Sequence, residues 1–487
     1  MRNSIQAIWN QQNQMPSRPT KTRSGCKGTP MTTQLIAKPR AIPGPRPSPV
    51  IGNIAEMRNG GTLGAFERNF KRYGDLFRLK LGPRTLYVIS SPVLAQEILI
   101  DRNKDFPKND GILRLLLGNG LVTNNDHESW LVQRRMMQPV FHRQRLTDMG
   151  EKMRAASGRL NARLEAQITQ PGSSVRIDLA DEMMQVTLDI ITQVMFSADV
   201  LGQAGTVGPA ISEAVHFLQG RVQSPFSLPI NWPLPSHQKF NRAKETLDQI
   251  ILEIIANRRS SHDRPGDLLD MLLEARDADT GEAMSDKQLR DEVLTIFAAG
   301  HETTAHTLGF AFVALAQYPD VLARVQRELD TVLEGRTPTM NDLEHLPEIK
   351  RVLEETLRLY PAAPLISPRV NVHDEQLGGY DLPKGSLLLT SIFNIQRNPN
   401  FWPEPETFNP NRWLEPAENR HRLAYMPFGA GPRKCIGNNL ALMEGQLILA
   451  SVLQQFELYL EPGQTVIPEQ AVTLQPKGGL KMLLRKR

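Results

Sequence analysis

The chain has 487 residues, 40% apolar and 22% charged, with a net charge of +5 and two cysteines. That composition suits a globular protein; it holds no run of about 18 apolar residues to form a membrane span and too few cysteines for a disulfide framework. Seven of the 57 Lys/Arg lie in residues 1–40, which hold no Asp/Glu, leaving 50 basic against 52 acidic residues beyond. The body of the chain is therefore close to neutral, and no nucleic-acid partner is expected.

Residues 1–40 form a basic, Gln/Asn/Ser/Thr-rich extension without periodicity and are expected to be disordered. An organelle transit peptide has a similar composition, but Met31 offers a plainer origin, a start codon placed upstream of the true one. A single domain is expected over 41–487. Ile42-Pro43-Gly44-Pro45, with Pro47 and Pro49, makes a stiff extended lead-in. The patterns then predict a helix over Leu63–Tyr73, strands over Leu76–Leu81 and Thr85–Ile89, and helix again from Ser91 to Lys104. Residues 111–125 read as loop and short helix, their leucines fitting a pocket wall or plain core equally well. In a helix over Glu128–Met137, Trp130 and Arg134 share one face at i,i+4. By itself such a pair reads as an exposed cation–aromatic contact. Helical patterns fill 144–169 and 179–197. A looser stretch, 216–235, carries Phe217, Phe226, Trp232 and four prolines before helix resumes over Gln238–Arg259.

Ser285-x-x-Gln288 is a capping box and Pro319 a stop, with about 33 residues of helix between them, roughly 50 Å long. Much of this helix is apolar all round, which predicts burial. Inside it sit Gly300-His301-Glu302-Thr303-Thr304. A mid-helix glycine costs about 1 kcal/mol relative to alanine, and a buried carboxylate costs more unless paired. Thr303 can hydrogen-bond the Ala299 carbonyl, bending the helix. A polar kink used only for packing is the plain alternative.

Glu355-x-x-Arg358 places acid and base on one helix face, by itself a weak signal. Near the C-terminus lies Phe428-Gly429-Ala430-Gly431-Pro432-Arg433-Lys434-Cys435-Ile436-Gly437, which leads into an apolar helix predicted over Leu440–Leu460. A sulfur there faces unpaired backbone N–H groups and the positive end of the helix dipole, so its thiolate form is expected to be favoured. A lone thiolate is a poor structural zinc site, which wants four ligands, but it suits a haem iron.

The spacing Phe428-Gly429-x-Gly431-x-Arg433-x-Cys435-x-Gly437 resembles the haem-ligand signature of the cytochrome P450 family. The other motifs follow in the family's order from Pro43 to the C-terminus. The resemblance implies a mainly α fold with a small β-region, haem b lying between the long central helix and the cysteine-loop helix. It implies Cys435 as the axial ligand of the haem iron. Phe428, Gly437 and Ala299 would lie beside the haem, and Trp130, Arg134, Arg369 and Arg433 would hold its propionates. Glu302 and Thr303 would deliver protons, and Glu355, Arg358 and Arg412 would form a buried network fixing the cysteine loop. Residues 216–235 would be a lid over the substrate channel, 362–368 would pass the substrate side of the haem, and the tip at 472–474 would reach the pocket. His301 is read as a satisfied histidine, not a second iron ligand. Two departures are visible: His127 where the family often has glycine, and Gln396-Arg397-Asn398-Pro399 where His-Arg-Asp-Pro is more usual.

The implied reaction inserts one oxygen atom from O2 into an apolar small molecule, a fatty acid or a terpenoid. Electrons would come from NAD(P)H through a separate ferredoxin or flavodoxin and its reductase, because only about 50 residues follow Cys435. A cytoplasmic monomer without a membrane anchor is expected. A peroxygenase or hydroperoxide isomerase is one alternative, against which the Glu302-Thr303 pair argues. A non-catalytic haem sensor is the other, and it would need no proton-delivery groove.

Overall fold

The proline-rich lead-in is fixed first, because it has a strand to lie on. Ile42 is buried, and the Arg78 amide donates to the Pro43 carbonyl at 2.8 Å. The computed structural model describes residues 41–58, 60–170, 172–197, 204–223, 228–262, 264–414 and 420–487; the expectations for residues 1–40, among them Cys26 and Met31, and for Phe226 lie outside them.

Helix Gly61–Tyr73 precedes a four-stranded sheet. Its strands Leu76–Leu81 and Arg84–Ile89 pair antiparallel, Leu387–Thr390 joins the second in parallel, and Arg369–Val370 closes the edge antiparallel. Phe66, Phe77, Leu79 and Val88 fill the space between this sheet and the helix. A three-stranded sheet of Val175–Asp178, Lys481–Lys486 and Phe456–Leu460 ties the C-terminus to the middle of the chain. Two small hairpins complete the β-region, one of them Pro468–Gln470 with Leu474–Pro476.

The central helix runs Asp286–Gln317, started by Ser285 Oγ accepting from the Gln288 amide at 3.2 Å. Pro319 opens the next helix, Pro319–Leu333, at a bend of 108°. From Leu289 to Leu315 nearly every side chain is buried, each Leu or Phe contributing about 1.5–3 kcal/mol. Its main packing partner is helix Leu179–Phe196, and Gly300 sits at that contact: a Cβ there would lie 3.0 Å from Ile191 Cδ1. The mid-helix glycine is thus explained by helix–helix approach before any chemistry is invoked. Among the described residues no single helix is long and apolar enough to cross a membrane.

Two local expectations are corrected. The stretch read as loose from 216 begins inside helix Ala204–Gln223, and the next helix starts at Pro235, running to Ser260. Tertiary packing explains the difference: Phe217 stacks on Phe240 with ring centroids 4.5 Å apart and meets His237 edge-on at 5.4 Å. The cysteine-loop helix spans Asn438–Gln455, and Phe456–Leu460, predicted as its end, is a strand held by Lys481–Lys486. The architecture is mainly α with a small β-region, and Ala41–Arg487 forms one compact unit.

Candidate active site

The cysteine loop is a set of tight backbone turns leading into helix Asn438–Gln455. The Gly429 amide donates to Met426 O at 2.9 Å, Cys435 N to Phe428 O at 2.9 Å, and Lys434 N to Gly431 O at 3.1 Å. Gly431 has φ +72°, and a Cβ on it would lie 2.0 Å from the Leu99 carbonyl oxygen. The neighbour that demands a glycine is therefore this backbone segment. Arg134 donates to the Lys434 carbonyl at 2.9 Å, so it braces the loop, while Trp130 on the same helix, His127–Met137, faces a different group.

Cys435 carries a free thiol and is accessible from outside the protein. Among the described residues no group of three or more His, Cys, Asp and Glu is placed to hold a metal ion. Burial pushes the thiol pKa up, and the Gly437 amide, Arg134 and Lys434 pull it down only in part. On the central helix, Ala299 is exposed and Thr303 partly so, with Thr303 Oγ1 donating to the Ala299 carbonyl at 2.7 Å.

A cavity of about 310 Å³ adjoins the loop, lined among others by Lys108, His127, Trp130, Arg369 and Arg433. Arg433 lies over the Trp130 ring, 4.4 Å from its centroid, and donates to the Asn124 carbonyl at 2.7 Å. Arg369 is buried, and its Nε has no partner. Lys108 donates to the Val122 carbonyl, with the Asp110 carboxylate 3.7 Å away. Desolvation brings Arg369 and Arg433 down to about 10 and Lys108 to about 8. Lys108 is ion-paired with Asp110 and the Glu128 carboxylate also lines the cavity, but among the described residues neither Arg369 nor Arg433 has a carboxylate partner, and the two propionates of a haem would supply one to each. The residues fit the group. Lys108 belongs to no sequence motif, and only proximity in the fold reveals it.

The network around Glu355 is fully assembled. Arg358 Nε and Nη2 donate to the two Glu355 oxygens at 2.9 and 2.8 Å, and neither side chain is exposed. Arg412 Nε reaches Glu355 Oε1 at 2.9 Å, and Trp413 Nε1 reaches Oε2 at 3.1 Å. Arg358 also donates to the carbonyls of Gln396, Pro405 and Thr407. Gln396, read as a minor departure, works as a strut. Its Nε2 donates to the Leu357 and Arg358 carbonyls, each at 2.9 Å, and its Oε1 accepts from the Met426 amide at 2.9 Å, two residues before Phe428.

Glu302 is buried on the central helix and accepts from Thr473 Oγ1 at 2.8 Å. Thr473 lies at the tip of the C-terminal hairpin, which does reach back to the central helix. His301 is satisfied, its Nδ1 2.9 Å from the Phe297 carbonyl.

The Cytochrome P450 family profile matches residues 42–483. The chain belongs to the cytochrome P450 family. This P450 is 36% identical over 418 residues to the cyclooctat-9-en-7-ol 5-monooxygenase of Streptomyces melanosporofaciens, covering 82% of this chain and 86% of that protein. It is 32% identical to the pentalenene oxygenase of Streptomyces avermitilis, covering 90% and 96%. The crystal structure of the cytochrome P450DA heme domain superposes with a TM-score of 0.83 at 28% identity, covering 92% of this chain and 98% of that one. The protein is a haem-thiolate monooxygenase with the P450 fold.

Proposed function

We propose that this P450 oxygenates rigid, apolar hydrocarbon skeletons of the terpenoid class, with electrons drawn from NAD(P)H through a separate ferredoxin or flavodoxin and its reductase. Haem b supplies the activation of O2 when bound, and Cys435 is the residue that would ligate its iron. Arg369, Arg433, Lys108 and the indole of Trp130 would hold the propionates, while Arg134 acts by bracing the cysteine loop. Phe428 and Gly437 would lie against the ring on the cysteine side and Ala299 on the opposite side. Glu355, Arg358 and Arg412 hold the loop in shape.

One observation carries the monooxygenase role of these residues: Thr303 Oγ1 binds the Ala299 carbonyl at 2.7 Å beside the buried Glu302. An enzyme that took its oxygen from a peroxide would need neither group. Thr303 can order a water beside the Ala299 carbonyl and Glu302 can pass it a proton, since burial raises the carboxyl pKa and so favours proton uptake by this group. The substrate class rests on the named relatives, which by those names act on cyclooctat-9-en-7-ol and pentalenene. A monomer in the cytoplasm completes the proposal.

Titrating the loaded protein with pentalenene and with dodecanoic acid, while following the haem spin state, tests the substrate class. A shift with pentalenene and none with dodecanoic acid is expected. The reverse pattern would move the assignment to fatty acids.

A further inference from the structure

Three polar side chains in the middle of the central helix and the hairpin tip are joined in a line. Thr473 Oγ1 donates to Glu302 Oε1 at 2.8 Å, and His306 Nδ1 lies 3.1 Å from the same Oγ1. A hydroxyl has one proton, and since Thr473 gives it to the carboxylate, Nδ1 must be the donor in the second bond. We propose that Thr473 and His306 form a proton route that reloads Glu302 from the hairpin side, an inference that rests on the role of Glu302 given above.

The step balances as a shift of protons alone. The Thr473 proton passes to Glu302 Oε1, Thr473 takes the Nδ1 proton of His306, and the imidazole takes one at Nε2 from a solvent hydronium ion, which leaves as water. One proton enters at the ring and one arrives on the carboxylate. No electron moves, and the ring stays neutral. The hydrogen bonds then run in the opposite sense; once Glu302 has given its proton away they reset when the Thr473 hydroxyl turns back toward Glu302 and the imidazole, by exchange with solvent, loses its Nε2 proton and regains one at Nδ1.

The surroundings suit this use. Thr473 is buried and His306 only partly so, which leaves the ring as the end nearer water. Burial pushes the Glu302 carboxyl up and the His306 imidazole down to about 4, so the ring rests neutral and passes protons on without storing charge. His301, the neighbouring imidazole, has its Nδ1 committed to the Phe297 carbonyl. The hairpin tip is placed by its backbone, with Leu474 N donating to Ala362 O at 2.9 Å and Ala471 N to Thr473 O at 2.8 Å. The Thr473 hydroxyl is therefore free to serve the carboxylate without being needed to hold the turn.

The test compares Thr473→Val, Thr473→Ser, His306→Phe and Glu302→Gln in the haem-loaded protein. Infrared spectroscopy follows the carboxyl C=O stretch that Glu302→Gln removes. O2 reduction without organic substrate is followed as the ratio of water to hydrogen peroxide formed. Thr473→Val is expected to shift the C=O stretch and to lower that ratio about tenfold, part of the 10²–10⁴-fold that positioned proton donors contribute. His306→Phe should lower the ratio similarly, and Thr473→Ser should restore both readouts. A stretch and ratio unchanged in Thr473→Val, or a serine that fails to rescue, would overturn the route. If Glu302→Gln uncouples but the other variants do not, only the route fails. If Glu302→Gln itself leaves the ratio unchanged, the role of Glu302 fails first.

Discussion

Replacing Arg369 with methionine should change the haem-free and haem-loaded proteins in opposite directions. Arg369 is 7% exposed, and desolvation brings its pKa from 12.5 to about 10. At about 1.4 kcal/mol per pH unit, keeping this charge buried costs the haem-free fold about 3 kcal/mol. The sign follows from a base whose folded pKa lies below its unfolded one. The cost is full below pH 10 and fades as pH rises from 10 toward 12.5. Methionine keeps the reach of the side chain, removes the charge and leaves the strand pairing of Arg369–Val370 intact. The haem-free variant should therefore gain up to about 3 kcal/mol in urea unfolding at neutral pH. The loaded variant loses charge-assisted hydrogen bonds worth about 1.5–3 kcal/mol, or about 10- to 100-fold in haem affinity, read as faster transfer of haem to an acceptor protein. A haem-free variant less stable than the parent, or unchanged haem retention, would refute the reading of this cavity as a propionate site.

Thr303→Ala should uncouple the enzyme without silencing it: NAD(P)H oxidation continues, product per NAD(P)H falls about 10²–10⁴-fold, and hydrogen peroxide rises to match. An unchanged yield would mean the hydroxyl only shapes the helix. Arg358→Met should cost about 3–5 kcal/mol, since it strips donors from Glu355 and from the Gln396 and Pro405 carbonyls, and the thermal midpoint and haem content should fall together. Gly431→Ala should reduce folded, haem-loaded protein sharply, because the Leu99 carbonyl occupies the space a Cβ needs; a normal yield would show that the loop can shift at little cost.

The sequence made the central helix legible at both ends, because Ser285 and Pro319 act through local backbone chemistry. The cysteine loop and the Glu355–Arg358–Arg412 set were legible for a different reason, their fixed spacing. Lys108, Gln396, Thr473 and His306 were not legible as partners. Each acts through a contact distant in sequence or specific to this fold, such as Thr473 with Glu302 or Gln396 with Met426. The helix ending at Gln223 was missed because its glycines and Pro209 argue locally against helix, while packing such as Phe217 on Phe240 decides otherwise.

The most direct test of the account is the absorption spectrum of the reduced carbon monoxide complex in the parent and in Cys435→Ser. The parent should show the red-shifted band of thiolate ligation, and Cys435→Ser should lose it while the fold persists. A Cys435→Ser protein that kept that band would contradict the assignment of Cys435, and with it the haem-thiolate site built around it.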